Sequence, residues 1–435
     1  MTDSATLTAR RGSGPARSRW LQHPAAVAAG GFLAIRAIGL VALLRSDQRA
    51  GRPLIEVLGL WDGGWFVRIA EAGYAGDLDL SAPMTDQSTG SLAFFPVYPI
   101  LIRALSGLAG LDPRWAGVLI SLTAGAVAAA GVAILARDWA GDRVGLLAGL
   151  LWSAAPMGVV AAIVYSEALF TALVVWTFIA LRRHSWLIAG TLGALAGLTR
   201  PTGIAVGAAV AAYAAWTVVA PKLVRRSGRD LTAGDEDASE QAASEQAASD
   251  RAALDRAALH PATRRTTGLA LTAGALAVAG TPSFWLWVGQ RAGRWDGWFA
   301  VQEAFWGSRF DGGASIWRLT QAVVRGETLP GVELMSVSVL ILLIVSVALL
   351  ALAVRGRVWW PLLAYAAISL VMVIGSSGYF SSKLRFLVPI FVLAFPLARW
   401  LAARSRSTQV LAVMAAVAAT TLSGTWLLLS WPYAI

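Results

Sequence analysis

The chain has 435 residues, of which 57% are hydrophobic and only 14% charged, with a formal net charge of +11. Long uninterrupted apolar runs at this composition predict an all-α polytopic membrane protein. The absence of cysteine excludes disulfides, thiolate catalysis and cysteine-ligated metals. The positive charge does not indicate a nucleic-acid partner, because most basic residues lie in short loops, as the positive-inside rule requires.

Apolar runs predict about eleven transmembrane helices, each assigned from its length and hydropathy. They lie near 24–44, 115–136, 144–163, 166–181, 186–199, 203–219, 267–289, 336–354, 358–375, 386–402 and 408–430. The run 94–111 is long enough to cross, but it contains two prolines and Arg103. If this run lies in the membrane interface instead, the arginines at 182–183 and 355–357 fall on the cytosolic side. The same side then holds Arg137, Arg143, Arg399, Arg404 and Arg406. We therefore predict an interfacial run at 94–111 and a cytosolic N-terminus.

Loop lengths divide the chain into two membrane modules. We expect a cytosolic tail at 1–23, an N-terminal module at 24–219 with a first outer loop at 45–114, and a C-terminal module at 267–435 with an outer loop at 290–335. The polar, low-complexity stretch 220–266 predicts a cytosolic linker that is partly disordered or weakly helical. Few lysines and many Arg, Ala and Gly residues are typical of a high-GC bacterial genome, so we expect the bacterial plasma membrane.

The first outer loop contains the segment 61–66, with the sequence Trp-Asp-Gly-Gly-Trp-Phe. Gly63 and Gly64 give the backbone freedom to turn before a short helix. Asp62 is therefore a candidate catalytic base, placed close to lipid headgroups where it could take a proton from a hydroxyl. The alternative is that Asp62 only caps the helix. Asp296, in the similar stretch 295–299, is a rival carboxylate.

Four further residues are candidates for binding substrate. Arg68 and Glu71 follow Asp62 with helical spacing, and they either contact substrate or pair with each other. Tyr98 lies in the aromatic and proline-rich segment 94–99, whose alternative role is an amphipathic anchor. Glu167 lies between two predicted spans, where an acid is costly unless it is paired or hydrated, and its alternative role is a helix cap.

Three cations lie at the predicted outer ends of spans, against the positive-inside bias. They are Arg200, in the segment 199–203, and Lys383 and Arg385, in the segment 378–386. A bound anion would explain them, and the phosphate of a lipid carrier is the natural one. The alternatives are binding of bilayer headgroups and snorkelling.

Taken in order, these motifs resemble those of the PIG-V family, the mannosyltransferases that add the second mannose in glycosylphosphatidylinositol anchor assembly, and its bacterial relatives. These enzymes belong to the GT-C superfamily of polytopic glycosyltransferases. The resemblance covers about 60–390 and rests on Asp62, the stretch 69–74, the stretch 94–99, Tyr165-Ser166-Glu167, and Thr199-Arg200 before Gly203. The chain departs from the family at Ala72, where His is frequent, and at Pro201, where Ser follows the arginine.

The resemblance implies a GT-C-like fold with interfacial helices in the first outer loop. It also implies a polyprenyl-phosphate mannose donor and an essential outer-loop acid, which corresponds to Asp62. We expect inverting transfer to a lipid-linked or exported acceptor, with Arg200, Lys383 and Arg385 stabilising the departing phosphate. This chemistry requires no metal or other cofactor. A lipid or sugar transporter or flippase is the alternative, and a catalytically inactive membrane scaffold is a third possibility.

Overall fold

The computed structural model describes residues 23–46, 51–74, 87–230, 264–328 and 331–433. These residues form helices joined by short turns. In chain order the α-helices are α1 (Pro24–Leu44), α2 (Leu54–Leu58), α3 (Asp62–Ala72), α4 (Gln87–Ser91), α5 (Val97–Ala109), α6 (Pro113–Ala140), α7 (Asp142–Ser153), α8 (Glu167–Arg182), α9 (Trp186–Gly197), α10 (Gly203–Asp230), α11 (Arg264–Ala292), α12 (Gly297–Trp306), α13 (Ala314–Arg325), α14 (Glu333–Arg355), α15 (Trp360–Gly375), α16 (Ser382–Leu387), α17 (Ala394–Ala402) and α18 (Arg406–Ser430).

The prediction of an all-α polytopic membrane protein is confirmed. Among the described residues, six helices are long and apolar enough to span a membrane: Pro24–Leu44, Pro113–Ala140, Gly203–Ala220, Thr266–Ala292, Glu333–Arg355 and Arg406–Ser430. Four shorter apolar helices accompany them, at Val97–Ala109, Trp186–Gly197, Trp360–Gly375 and Phe391–Ala402. The predicted count of eleven spans is not confirmed.

The predicted span at 144–163 is not one continuous helix. Helix α7 ends at Ser153, shortly before Pro156, and a 3-10 turn follows at Gly158–Ala161. The carbonyl groups of Ser153 and Gly158 accept hydrogen bonds from the buried guanidinium of Arg36 on α1. This break turns the chain, so that the segment 164–166 approaches the start of α3.

The segment 45–114, predicted as the first outer loop, contains the short helices α2 to α5. Helix α5 has 13 residues, about 20 Å of helix, which is too short to cross a bilayer and agrees with an interfacial position. The interfacial position itself stays a prediction. Most of the predicted linker 220–266 lies outside the described residues, as does nearly all of the tail 1–23. Helix α10 continues to Asp230, past the predicted start of that linker.

Basic residues predicted to share one side of the membrane lie together at one end of the bundle. Arg182 is 3.7 Å from Asp138, and its guanidinium lies over the ring of Trp359. Arg399 lies over the ring of Trp139, whose indole nitrogen donates to the carbonyl of Gly356. Helices α1 and α15 begin at this end, where His23 contacts Arg137 and Trp359 contacts Arg182. Asp62 and Arg385 follow these two helices in the chain and lie toward the opposite end.

Candidate functional site

A strained turn presents Asp62 at the start of α3. Trp61 caps this helix with φ 54° and ψ −118°, a conformation that side-chain-bearing residues rarely adopt. Gly63 packs closely on Val164, since a Cβ at Gly63 would lie 3.3 Å from the Val164 carbonyl oxygen. Trp61, not Asp62, occupies the cap position, and the Asp62 carboxylate contacts Arg385 instead. The helix-cap alternative for Asp62 is therefore wrong.

Four charged side chains form a continuous chain of ion pairs at this end of the bundle, here called the Asp62 cluster: Asp62, Arg385, Glu167 and Arg200. Arg385 Nη1 pairs with the carboxylate of Asp62, and Arg385 Nε is 3.7 Å from Glu167 Oε1. Glu167 Oε1 is also 2.7 Å from Arg200 Nη1. With two carboxylates and two guanidinium groups, the cluster has no net charge.

The cluster is buried on one side and accessible on the other. The side chain of Glu167 is fully buried, whereas those of Asp62, Arg385 and Arg200 remain 15%, 10% and 11% exposed. Glu167 is the first residue of α8, and the preceding Ser166 accepts a hydrogen bond from Arg200 Nη1 at 3.0 Å. Glu167 is thus an ion-pair partner within the site, and the helix-cap alternative does not apply to it.

Aromatic rings enclose the guanidinium groups. The Arg385 guanidinium lies 5.2 Å from the ring centre of Tyr165 and 5.0 Å from that of Phe386, and Arg200 lies over the same Phe386 ring. Burial alone would lower the pKa of Arg385, but the charges of Asp62 and Glu167 and the hydrogen bond to Asp62 raise this pKa above its usual value. Arg385 is therefore a permanent cation.

Tyr165 forms the wall behind Asp62. Its hydroxyl oxygen accepts a weak hydrogen bond, 3.4 Å long, from the backbone nitrogen of Asp62. Burial and the Asp62 charge raise the pKa of Tyr165 well above its usual value, so the phenol stays neutral. Sequence reasoning identified Tyr165 only as part of a motif, and it did not identify Phe386 or the turn at Trp61 as parts of the site.

Two predicted site residues support neighbouring structure and are directed away from the cluster. Tyr98 is fully buried, and its hydroxyl is 2.9 Å from the Gly117 carbonyl oxygen and 2.8 Å from Ser121 Oγ. Lys383 donates hydrogen bonds to the carbonyl groups of Val373, at 2.9 Å, and Ser376. Lys383 thereby satisfies carbonyl groups at the end of α15.

Arg68 and Glu71 lie apart from Asp62. They follow Asp62 by six and nine residues in a helix of about 3.6 residues per turn, so they lie on a different face of α3 from Asp62. Together with Glu56, Gly59 and Arg114 they line an open cleft of about 490 Å³. No ion pair joins Arg68 to Glu71 in the part of the chain that the structure describes. The structure therefore separates these two candidates from the Asp62 cluster.

The rival carboxylate Asp296 pairs with Arg294 at 2.6 and 2.7 Å on the protein surface. Residues 23–46, 51–74, 87–230, 264–328 and 331–433 contain no group of three or more His, Asp or Glu side chains that could hold a metal ion. That the reaction needs no metal stays a prediction.

One protein-family model matches residues 93–233, less than half of the chain, and is described as dolichyl-phosphate-mannose-protein mannosyltransferase. No curated protein matches the chain. The chain is similar to a crystal structure of ArnT from Cupriavidus metallidurans bound to undecaprenyl phosphate, with 18% identity and a TM-score of 0.47 over 89% of this chain and 63% of that one. It is also similar to a crystal structure of an oligosaccharyltransferase from Archaeoglobus fulgidus in complex with zinc and sulfate. The identity is 12% and the TM-score is 0.42, and the match covers 92% of this chain and 52% of that one.

The chain thus spans less than two thirds of the length of each solved structure. Fold and composition define it as a polytopic helical membrane protein, and residues 93–233 are similar to the mannosyltransferase family.

Proposed function

We propose that this protein is an integral membrane glycosyltransferase of the GT-C type. It would transfer a sugar, mannose by the family resemblance, from a polyprenyl phosphate to a hydroxyl of a lipid-linked or exported acceptor. The observation that carries the proposal is the Asp62 cluster, in which a partly exposed carboxylate pairs with the partly exposed Arg385 and is linked through Glu167 to the partly exposed Arg200. The family match over 93–233 supports the same reaction class.

In this reaction the acceptor oxygen attacks the anomeric carbon from the face opposite the phosphate. The new bond forms between the acceptor oxygen and that carbon, the bond from the carbon to the phosphate oxygen breaks, and the configuration inverts. Asp62 accepts the acceptor proton as general base. The bonding electrons leave with the lipid phosphate, whose growing charge Arg385 and Arg200 stabilise.

The positive-inside rule supports an orientation for this site. The arginines at the opposite end of the bundle would face the cytosol, which places the Asp62 cluster at the extracytoplasmic surface of the plasma membrane. A lipid carrier and an exported acceptor would then both reach it from the outer leaflet. Arg68 and Glu71, in their separate cleft, would contact the more distant part of the acceptor.

The direct test supplies purified protein with radiolabelled polyprenyl-phosphate mannose and an extract of envelope lipids. Incorporation of label into a new lipid or glycan supports the proposal. Movement of the donor across a vesicle bilayer without transfer would support the alternative, a flippase.

A further inference from the structure

The proposed reaction needs the carboxylate of Asp62 and the guanidinium of Arg385, and in this structure these two groups pair with each other. Asp62 can act as a base only if its carboxylate is free, and Arg385 can bind a phosphate well only if its charge is not already neutralised. The two are joined in an ion pair, and the Asp62 cluster as a whole is neutral. A neutral cluster attracts an anion weakly, so one partner must give way when a lipid phosphate binds.

The surroundings identify the partner that moves. Arg385 is held from several sides, by the buried carboxylate of Glu167 and by the rings of Tyr165 and Phe386. The side chain of Asp62 is short and more exposed than those of Glu167 and Arg385. Among the described residues, Arg385 is the one cation with which Asp62 pairs. Release of Asp62 therefore disturbs only its pair with Arg385, whereas displacement of Arg385 would also disturb its contacts with Glu167, Tyr165 and Phe386.

We propose that the ion pair between Asp62 and Arg385 is a latch that the phosphate of the donor lipid opens. The phosphate takes the place of the Asp62 carboxylate on Arg385, and the released carboxylate becomes available to the acceptor hydroxyl. This inference rests on the proposed function and adds an order of events, in which the donor binds before Asp62 becomes a base. No covalent bond changes in this step, since one anion replaces another on the same guanidinium.

The latch gives Asp62 an effect opposite to that of an ordinary binding residue. In the resting protein its negative charge competes with the phosphate for Arg385, so Asp62 weakens donor binding. Removal of that charge should strengthen phosphate binding even though it removes the base. A residue that simply contacts the donor would show the reverse, with weaker binding after substitution.

The test measures the affinity of purified full-length protein for undecaprenyl phosphate. We expect Asp62→Asn to bind this lipid roughly three- to tenfold more tightly than the wild type, which corresponds to about 1 kcal/mol. Asp296→Asn is the matched control, because it removes the same charge from a surface ion pair with Arg294. We expect its affinity to stay within about twofold of the wild type.

A second substitution guards against a folding effect. Asp62→Ser also removes the charge and should move the affinity in the same direction as Asp62→Asn. Affinity for undecaprenyl phosphate in both variants that is equal to or weaker than that of Asp296→Asn would overturn the latch. Sugar transfer, measured on the same preparations, reports separately on the proposed function. Absence of transfer by the wild type would count against the proposed function, whereas normal transfer by Asp62→Asn would overturn the base role of Asp62, whatever the affinities.

Discussion

Arg385 binds the carboxylate of Asp62 although the two residues are 323 positions apart in the chain. Asp62 is the first residue of α3, the second short helix after α1, and Arg385 lies on α16, after α15. Through Glu167, the same guanidinium also connects to α8. The site therefore forms only when α3, α8 and α16 pack together.

Arg385 should be the most sensitive of the cations in the site. Arg385→Gln removes the cation that binds Asp62 and, in the proposed reaction, the lipid phosphate, so we expect kcat/KM for sugar transfer to fall by about 10²–10³-fold. Arg385→Lys should restore only part of this activity, because an ammonium group cannot contact two carboxylates as the planar guanidinium does. Arg309→Gln, in an exposed pair with Glu303, is the control and should transfer normally.

Glu167 should matter for stability as well as for activity. Glu167→Gln keeps the shape of the side chain but leaves Arg200 and Arg385 beside a neutral amide in a buried place. We expect a loss of about 1–3 kcal/mol in the free energy of unfolding, visible in thermal unfolding of the detergent-solubilised protein. Glu303→Gln breaks an exposed ion pair and should cost less than about 1 kcal/mol. Equal effects of the two substitutions would argue against a buried ion-pair chain.

Lys383 should make stability depend on alkaline pH. Burial lowers the pKa of Lys383 from 10.5 to about 8, so between these values the unfolded chain binds more protons than the folded one. Stability contributed by this group should therefore rise as the pH increases from about 8 to 10.5. Unfolding measured across this range should show the rise in the wild type, and Lys383→Met should lose it. A rise that persists in Lys383→Met would assign the effect to another group.

The absence of cysteine allows a direct test of orientation. Single cysteines at the exposed positions Arg183 and Arg309 report on opposite ends of the bundle. In intact cells, a membrane-impermeant maleimide should label Arg309→Cys and should label Arg183→Cys only after the membrane is opened. Labelling of Arg183→Cys in intact cells would place the Asp62 cluster in the cytosol.

Charge patterns in the sequence predicted which arginines lie together at one end of the bundle. The positive-inside rule grouped Arg137, Arg182 and Arg399, and the structure brings all three to one end, around Asp138 and Trp139. The same rule singled out Arg200, Lys383 and Arg385 as exceptions. Arg200 and Arg385 meet at Glu167, whereas Lys383 does not join them. A charge at the wrong end of a span is costly unless it has a partner, which is why this signal is visible without any structure.

Side-chain direction could not be predicted from the same patterns. Lys383 and Arg385 are two residues apart on a short helix, and only the folded chain shows that one reaches carbonyl groups of α15 and the other reaches Asp62. Tyr98 belongs to the run predicted to be interfacial, but its hydroxyl contacts Gly117 and Ser121. These outcomes depend on tertiary packing, which sequence spacing does not contain.

Sugar transfer by Asp62→Asn tests the central claim most directly, because this substitution removes the proposed base and preserves the size of the side chain. Turnover with a polyprenyl-phosphate mannose donor is compared among the wild type, Asp62→Asn and Asp296→Asn. We expect Asp62→Asn to lose about 10²–10⁴-fold in turnover and Asp296→Asn to transfer as the wild type does. Turnover by Asp62→Asn within a few-fold of the wild type would contradict the assignment of Asp62 as the base.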